Sequence, residues 1–255
     1  MNIIRTNTPG KDQINSLLHL QEICRRHDHI SFSFPMEDDC TFYLLYDEER
    51  LLSALTALFN ENEEYECYAC TLPANRRQGC FTLLLEELLK ESGDRDLIFP
   101  VDETSKDTVM ALVTIGAALW YQEHLMELTA SGFYGTSQAK NNLFQESLSL
   151  SITHDQKKSL SLCNFLLNGS SVGCCYLDFR KQSVYFYGFE IAEHLRNQGL
   201  GSACLFLLLK TCFSLPEAER PGKLFLQVSG QNLPAMALYK KAGFQITESL
   251  SYYIY

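Results

Sequence analysis

The sequence predicts an α/β protein written twice on one plan, each half a sheet flanked by helices. Three observations point there. Strand-like and helix-like apolar patterns alternate along the chain. Residues 71–81 and 191–201 match position by position at an offset of 120. In both stretches an apolar strand runs through a glycine-bearing turn straight into a helix. At 255 residues the chain suits two modest domains, 1–138 and 139–255.

The elements follow in order. Residues 11–27 put Ile14, Leu17, Leu18, Ile23 and Cys24 on the apolar face of a first helix. Strands over 41–46 and 51–59 are joined by an acidic turn, Asp47-Glu48-Glu49. The run 65–70 feeds the first glycine turn, 80–90 has a helical period, and Gly93 stops it. A strand over 97–101, a helix over 105–115 and a strand over 118–127 complete the half. The second half opens on the alternation Leu148, Leu150, Ile152. Strands around 160–167 and 172–179 are linked by Asn168-Gly169, a pair that accepts the left-handed backbone of a tight hairpin. Between the first two of these strands only a short turn around 154–158 fits. An aromatic strand over 184–191, a glycine turn, a helix, a strand over 224–228 and a last helix follow.

Charge is divided unevenly. Through residue 138, 10 Lys+Arg stand against 23 Asp+Glu, a net of −13; from 139 onward the count is 11 against 8, a net of +3. Nothing resembles a basic face, which argues against nucleic acid as a partner. The acidic first half reads as a solvated surface or as an attractor for an amine-bearing substrate. The longest apolar stretch, around 205–209, is far too short to span a bilayer. The N-terminus has no basic-then-apolar export pattern. Cys67, Cys70, Cys174, Cys175, Cys204 and Cys212 sit inside apolar strands and helices, which suits free thiols of a reducing cytoplasm. Cys67-x-x-Cys70 falls in a strand, where residues three apart face opposite ways. No second ligand pair is placed to make a zinc site, so no metal is expected.

The second glycine turn reads Arg196-Asn197-Gln198-Gly199-Leu200-Gly201. Amides at a helix start have no partner within the helix, and the macrodipole adds partial positive charge there. Glycine lets that backbone approach a phosphate with no Cβ in the way. A dinucleotide motif would need glycine at Cys204, and a P-loop would need a lysine beside the glycines. What is left is R-x-x-G-x-G, then a strand, then Asn232, Ala235, Leu238-Tyr239 and Gly243-Phe244.

These two motifs, in this order, resemble the GNAT superfamily of acyl-CoA-dependent N-acyltransferases. The resemblance implies, for each half, a mixed, mostly antiparallel twisted sheet flanked by helices. It implies acetyl-CoA as the acyl donor. Ile191, Arg196, Asn197, Gln198, Gly199, Leu200, Gly201 and Ser202 would hold the pyrophosphate of coenzyme A. Asn232 would bind the pantetheine arm, a role compatible with an ordinary helix N-cap. Tyr239 would lie close to the sulfur as general acid; its other reading is a tyrosine packing the sheet. Where many members carry a glutamate base, this chain has Gln227. Glu190, re-aimed by a bulge at Gly188, is the replacement candidate. His194 lies in the turn and reads as facing solvent, and a water or an amine of low pKa would remove the need for a dedicated base. The implied reaction is direct attack of a small-molecule or peptide amine on the thioester, because no cysteine occupies a justified nucleophile position.

The first half is eroded at the corresponding positions. Its second glycine is Phe81; counting back from Gly116, Leu112 takes the tyrosine position and Ser105 the asparagine position. Residues 1–138 therefore read as a degenerate domain serving as support or as a wall of the acceptor site, and 139–255 as the catalytic domain. A non-catalytic sensor of CoA or acyl-CoA is the alternative, suggested by Gln227 and by the eroded half. The acceptor, the acyl chain length and the oligomeric state are open at this level.

Overall fold

The computed structural model describes residues 1–29, 33–37, 39–60, 63–102, 104–135, 147–155, 159–217 and 219–255. The chain forms two compact units, Met1–Gln122 with Leu250–Tyr255, and Glu123–Ser249. The boundary expected at 138/139 lies outside the described residues.

Unit 1 contains β1 (Asn2–Thr6), α1 (Lys11–Asp28), β2 (Cys40–Asp47), β3 (Arg50–Phe59), β4 (Tyr65–Thr71), α2 (Cys80–Ser92), β5 (Leu97–Asp102) and α3 (Lys106–Ile115). Its strands lie in the order β1-β2-β3-β4-β5, and the end of β12 (Gln245–Ile254) then pairs antiparallel with β5. Strand periodicity gives this sheet two apolar faces. Phe42, Leu44, Leu52 and Ala54 pack under Leu17, Leu20 and Cys24 of α1. Tyr43, Leu45, Leu55 and Ala57 pack under Leu84, Leu85 and Leu88 of α2. Cys67 joins the α2 side and Cys70 the α1 side, as their three-residue spacing requires.

Unit 2 takes β6 (Ala118–Thr129) from Glu123 onward, then α4 (Ala130–Gly135), β7 (Leu148–Asp155), β8 (Leu160–Leu167), β9 (Ser170–Phe179), β10 (Ser183–Ile191), α5 (Leu200–Phe213), β11 (Lys223–Ser229) and α6 (Leu233–Lys241). The strand order is β6-β11-β10-β9-β8-β7. Asn168 (φ 51°) and Gly169 (φ 82°) make the tight hairpin that the sequence predicts. Of the expected turn, His154 and Asp155 belong to β7, and 156–158 lie outside the described residues. Helix α5 is apolar nearly all round, as a core helix is. Its Leu205, Leu208, Leu209, Cys212 and Phe213 form one core with Phe165, Cys175, Leu177, Val184, Phe186, Leu224 and Leu226. Among the described residues no helix of this unit serves a second core on the opposite face, unlike α1 in unit 1. Ile152, expected to face inward, is instead 46% exposed, because β7 is an edge strand with a neighbour on one side only.

By the repeat plan β6 and β12 are equivalent, each following the last helix of its half. Yet β6 pairs with β11 from Glu123↔Ser229 to Thr129↔Lys223, and β12 pairs with β5 from Leu250↔Asp102 to Ile254↔Ile98. Each half's last strand completes the sheet begun by the other half's sequence.

The feature that positions the site is where parallel pairing ends. β10 and β11 pair only at Ser183↔Lys223, Val184↔Leu224 and Tyr185↔Phe225. Beyond that point β11 stays with β6 and β10 stays with β9, whose register shifts between Tyr187 and Glu190. This is the bulge expected at Gly188, which has φ +61°. The extra residue changes parity: Phe189 and Ile191 pack on the same core as Val184 and Phe186. Glu190 is thereby turned to the outer face with Tyr185 and Tyr187. The bulge sits tight against β9. A Cβ on Gly173 would lie 2.3 Å from the Glu190 carbonyl oxygen, a backbone atom that cannot step aside.

In unit 1 the same position is Tyr68, and β4 pairs with β3 without a break from Ser53↔Thr71 to Phe59↔Tyr65. The turn after β4 is closed by the chain's own carboxylates. Arg76 donates to Asp28 at 2.6 and 2.8 Å and to Asp107 at 3.3 Å, and Arg77 also reaches Asp107 at 3.3 Å. Burial pushes the Asp28 carboxyl upward, but its hydrogen bonds from Arg76 outweigh this and hold it below its usual value.

Two outcomes follow from these contacts. Gly173→Ala forces β9 and β10 apart and lowers stability by about 1–3 kcal/mol; an unchanged thermal midpoint would refute the close approach. Asp28, with a depressed folded pKa, contributes stability that is present above its unfolded pKa of about 3.9 and fades as pH falls through the folded value. The midpoint of Asp28→Asn should therefore lie below that of the parent at pH 7, with the gap narrowing as the pH is lowered below about 4. A gap that stays constant through acid titration down to the unfolding limit would remove the ion pair as its cause.

Candidate active site

The second glycine turn leaves β10 at Ile191, makes a 3-10 turn over Glu193–Leu195, and enters α5 at Leu200. Asn197 takes the left-handed conformation (φ 62°), which asparagine tolerates, and Gly199 does so as N-cap (φ 81°). Two side chains brace the turn from within. Arg196 Nε donates to the Ile191 carbonyl at 2.9 Å, and Gln198 Nε2 donates to the His194 carbonyl at 3.1 Å. No side chain caps α5, and among the described residues the amides of Leu200, Gly201 and Ser202 meet no acceptor. They form the exposed positive end of a fourteen-residue helix.

The eroded turn has the same skeleton. Its 3-10 turn is Pro73–Asn75; Arg77 has φ 60° and Gly79 has φ 79°. Arg76 Nε donates to the Thr71 carbonyl, and Gln78 Nε2 to the Ala74 carbonyl. The differences are chemical. Phe81 replaces Gly201 and packs edge-on against Phe99 of β5. The Arg76 guanidinium is bound by carboxylates, whereas Arg196 is exposed and its terminal nitrogens have no partner among the described residues. Gly201 is not required by the fold itself. A Cβ there would make only ordinary contacts, 3.7 Å to Ile191 and 3.9 Å to Leu238, and its φ is not left-handed.

Asn232 is the N-cap of α6, its Oδ1 accepting from the Ala235 amide at 3.2 Å, so the capping reading is realised. Its side-chain amide nitrogen is left for another partner. Tyr239 is 8% exposed, with its ring set edge-on to Phe186 (6.0 Å) and Phe244 (5.8 Å). Its hydroxyl has no partner among the described residues, yet is not among the fully enclosed unpaired atoms, so it touches open space. Burial, and then the nearby Cys175, push the phenol up to about 12.

Glu190 is exposed on the opposite face of β10 and accepts from Cys174 Sγ at 3.4 Å. Tyr239 and Glu190 thus flank β10 from its two sides. His194 is exposed in the turn. Gln227 is engaged: Tyr185 Oη donates to its Oε1 at 3.0 Å, bridging β10 and β11 just where their backbone pairing stops. Sequence reasoning passed over Tyr185; its signal was alternation with buried Val184 and Phe186, which sets Tyr185 and Tyr187 on the other face. The depression between α5 and α6, lined by Phe133, Ser202, Leu205, Phe206, Leu238 and Lys241, includes neither Tyr239 nor Glu190.

Comparison with known proteins agrees with this geometry. The acetyltransferase (GNAT) family model matches residues 123–244, nearly the span of unit 2. No curated protein matches the sequence significantly. Among solved structures, a GCN5-related N-acetyltransferase from Sphaerobacter thermophilus has a TM-score of 0.67 at 12% identity, covering 99% of this chain and 95% of that one. A tandem GNAT protein from the clavulanic acid biosynthesis pathway has a TM-score of 0.63 at 10% identity, covering 100% and 98%. A GNAT-family acetyltransferase from Colwellia psychrerythraea has a TM-score of 0.55 at 12% identity, covering 100% of both chains. At these identities the likeness is one of fold. Residues 123–244 thus carry the match to the GNAT acetyltransferase family, and the chain shares its mixed, mostly antiparallel fold over its whole length with a tandem GNAT protein.

Proposed function

We propose that the second half of the chain transfers the acetyl group of acetyl-CoA to a primary amine, and that the first half is a supporting domain. One observation carries this reading: a bulged β10 diverges from β11 directly beside an uncapped helix N-terminus. The pyrophosphate would rest on the amides of Gly199 to Ser202 with Arg196 beside them, and the pantetheine arm would enter between the diverging strands past Asn232. Gly201, free of any role in the fold, gives the backbone its close approach. The first half keeps the uncapped helix start but lacks three of these provisions. Phe81 stands for the glycine, Asp28 and Asp107 take the arginines, and β4 has no bulge.

The reaction needs a neutral amine, a C–N bond formed at the thioester carbonyl, and cleavage of the C–S bond with a proton for the departing sulfur. A lysine-like amine with a pKa near 10.4 is neutral about once in 2,500 molecules at pH 7, so removal of its proton is a real requirement. Glu190 or a water takes that proton. Tyr239, held near 12, keeps its own proton at neutral pH and acts first as a hydrogen-bond donor to the developing thiolate. Full transfer to a thiolate of ordinary pKa is uphill at about 1.4 kcal/mol per unit. Holding both substrates in one crevice supplies most of the acceleration.

Gly201→Leu is expected to weaken CoA binding by at least about a hundredfold in calorimetry, because a side chain then intrudes on the phosphate cradle. Undiminished affinity in the folded variant would refute the cradle. Tyr239→Phe should lower turnover by about ten- to a hundredfold with CoA affinity nearly intact. Equal turnover in the two proteins would remove Tyr239 from the mechanism. Thiol release from acetyl-CoA with an amine panel separates the enzyme from a CoA-binding sensor, which would bind without release.

A further inference from the structure

Unit 2 buries one face of its sheet under α5 and α6, and the other face carries an aromatic row instead of a helix. Tyr176 stacks on Tyr187 (5.3 Å), Tyr187 on Tyr185 (5.1 Å), and Tyr185 on Phe225 (5.1 Å), with interplanar angles of 20–24°. These residues are only partly covered, and Tyr187 is 36% exposed. The row already holds one cation. The Arg180 guanidinium lies 5.5 Å from the Tyr185 ring centroid and 5.2 Å from that of Phe225.

Charge on this face is unbalanced. Arg180 is paired with Asp178 at 3.2 Å and Lys223 with Glu127 at 2.5 Å, so both of these cations are matched. Glu190, opposite Cys174 on the row's flank, and Glu123, on β6 opposite Ser229, have no cationic partner among the described residues. Glu123 is diagonal to Gln227, the residue that Tyr185 hydrogen-bonds. The Tyr185 phenol is pushed upward by burial and then by the Glu123 charge, so that carboxylate is felt at the row.

We propose that this face is the acceptor shelf and that it takes an alkyl amine carrying a second cationic group. The proposal rests on the acyltransferase reading for its chemistry. The tyrosine row is the floor, Glu123 holds the second cation, and the reacting amine is delivered toward Glu190 and the divergence of β10 from β11. A carboxylate-bearing acceptor would instead meet two unmatched carboxylates.

The test is calorimetric binding of 1,5-diaminopentane, 1-aminopentane and 5-aminopentanoate to the full chain, with and without CoA. The diamine should bind about tenfold tighter than the monoamine, and the amino acid weakest. Glu123→Gln should erase the preference for the diamine. Tyr187→Ala should weaken both amines several-fold while Tyr187→Phe restores them, with CoA affinity certifying that each variant is folded. Equal binding of the three probes, or an undiminished diamine preference in Glu123→Gln, overturns the shelf. CoA binding without amine selection would sink the shelf and leave the donor site standing. Selective amine binding without CoA binding would support the shelf and overturn acyl transfer.

Discussion

The site depends on one backbone constraint, the single residue inserted at the β10 bulge. Parallel strands held in register would close the gap between β10 and β11 with a continuous ladder. Here the ladder stops after three residue pairs, while β10 stays paired with β9 and β11 with β6 on their far sides. The peptide groups that the two strands turn toward each other beyond Tyr185 and Phe225 therefore line the gap. The same insertion moves Glu190 off the core face and leaves Phe189 and Ile191 on it. Two glycines make this geometrically possible. Gly188 adopts a left-handed φ within contact of Tyr176, and Gly173 admits the Glu190 carbonyl to a distance no Cβ would allow.

The two halves show which parts of a duplicated design follow from the backbone and which from side chains. The glycine turns have nearly the same φ values at Arg77 and Asn197 and at Gly79 and Gly199, and the same arginine and glutamine braces. That skeleton survives because the braces are internal and need no ligand. What diverged faces outward. In unit 1 the cation that would meet a phosphate meets Asp28 and Asp107, and the open glycine has become a packed phenylalanine.

Much of this was legible in the sequence. The alternating patterns placed the strands and helices from 11 onward, and the Asn168-Gly169 pair fixed a hairpin. The Gly188 bulge was foreseen because a glycine in an aromatic strand has few other uses. The short β1 and α4 were missed, since five- and six-residue segments carry too few periods to stand out. The exchange of β6 and β12 was invisible for a different reason. Either pairing uses the same elements in the same order, and register across a sheet is decided by distant neighbours. Of the site, the loop was readable because its chemistry is backbone chemistry with a fixed spacing. The aromatic shelf was not, because stacking between β9, β10 and β11 depends on which residues become cross-strand neighbours.

That exchange also places one neighbour of the divergence in the earlier part of the sequence. β11 borders the divergence on one side, and along all seven of its residues its other neighbour is β6. The strand that flanks the site is thus encoded before residue 130, ahead of the glycine turn by some seventy positions along the chain. Without it β11 would be an edge strand, and beyond Phe225, where β10 no longer pairs with it, it would have no ladder on either side. One wall of the divergence would then be unsupported. The match to the family begins at Glu123, the residue where β6 takes up its pairing with β11. The paired part of β6 thus belongs to the same unit as the strand it supports.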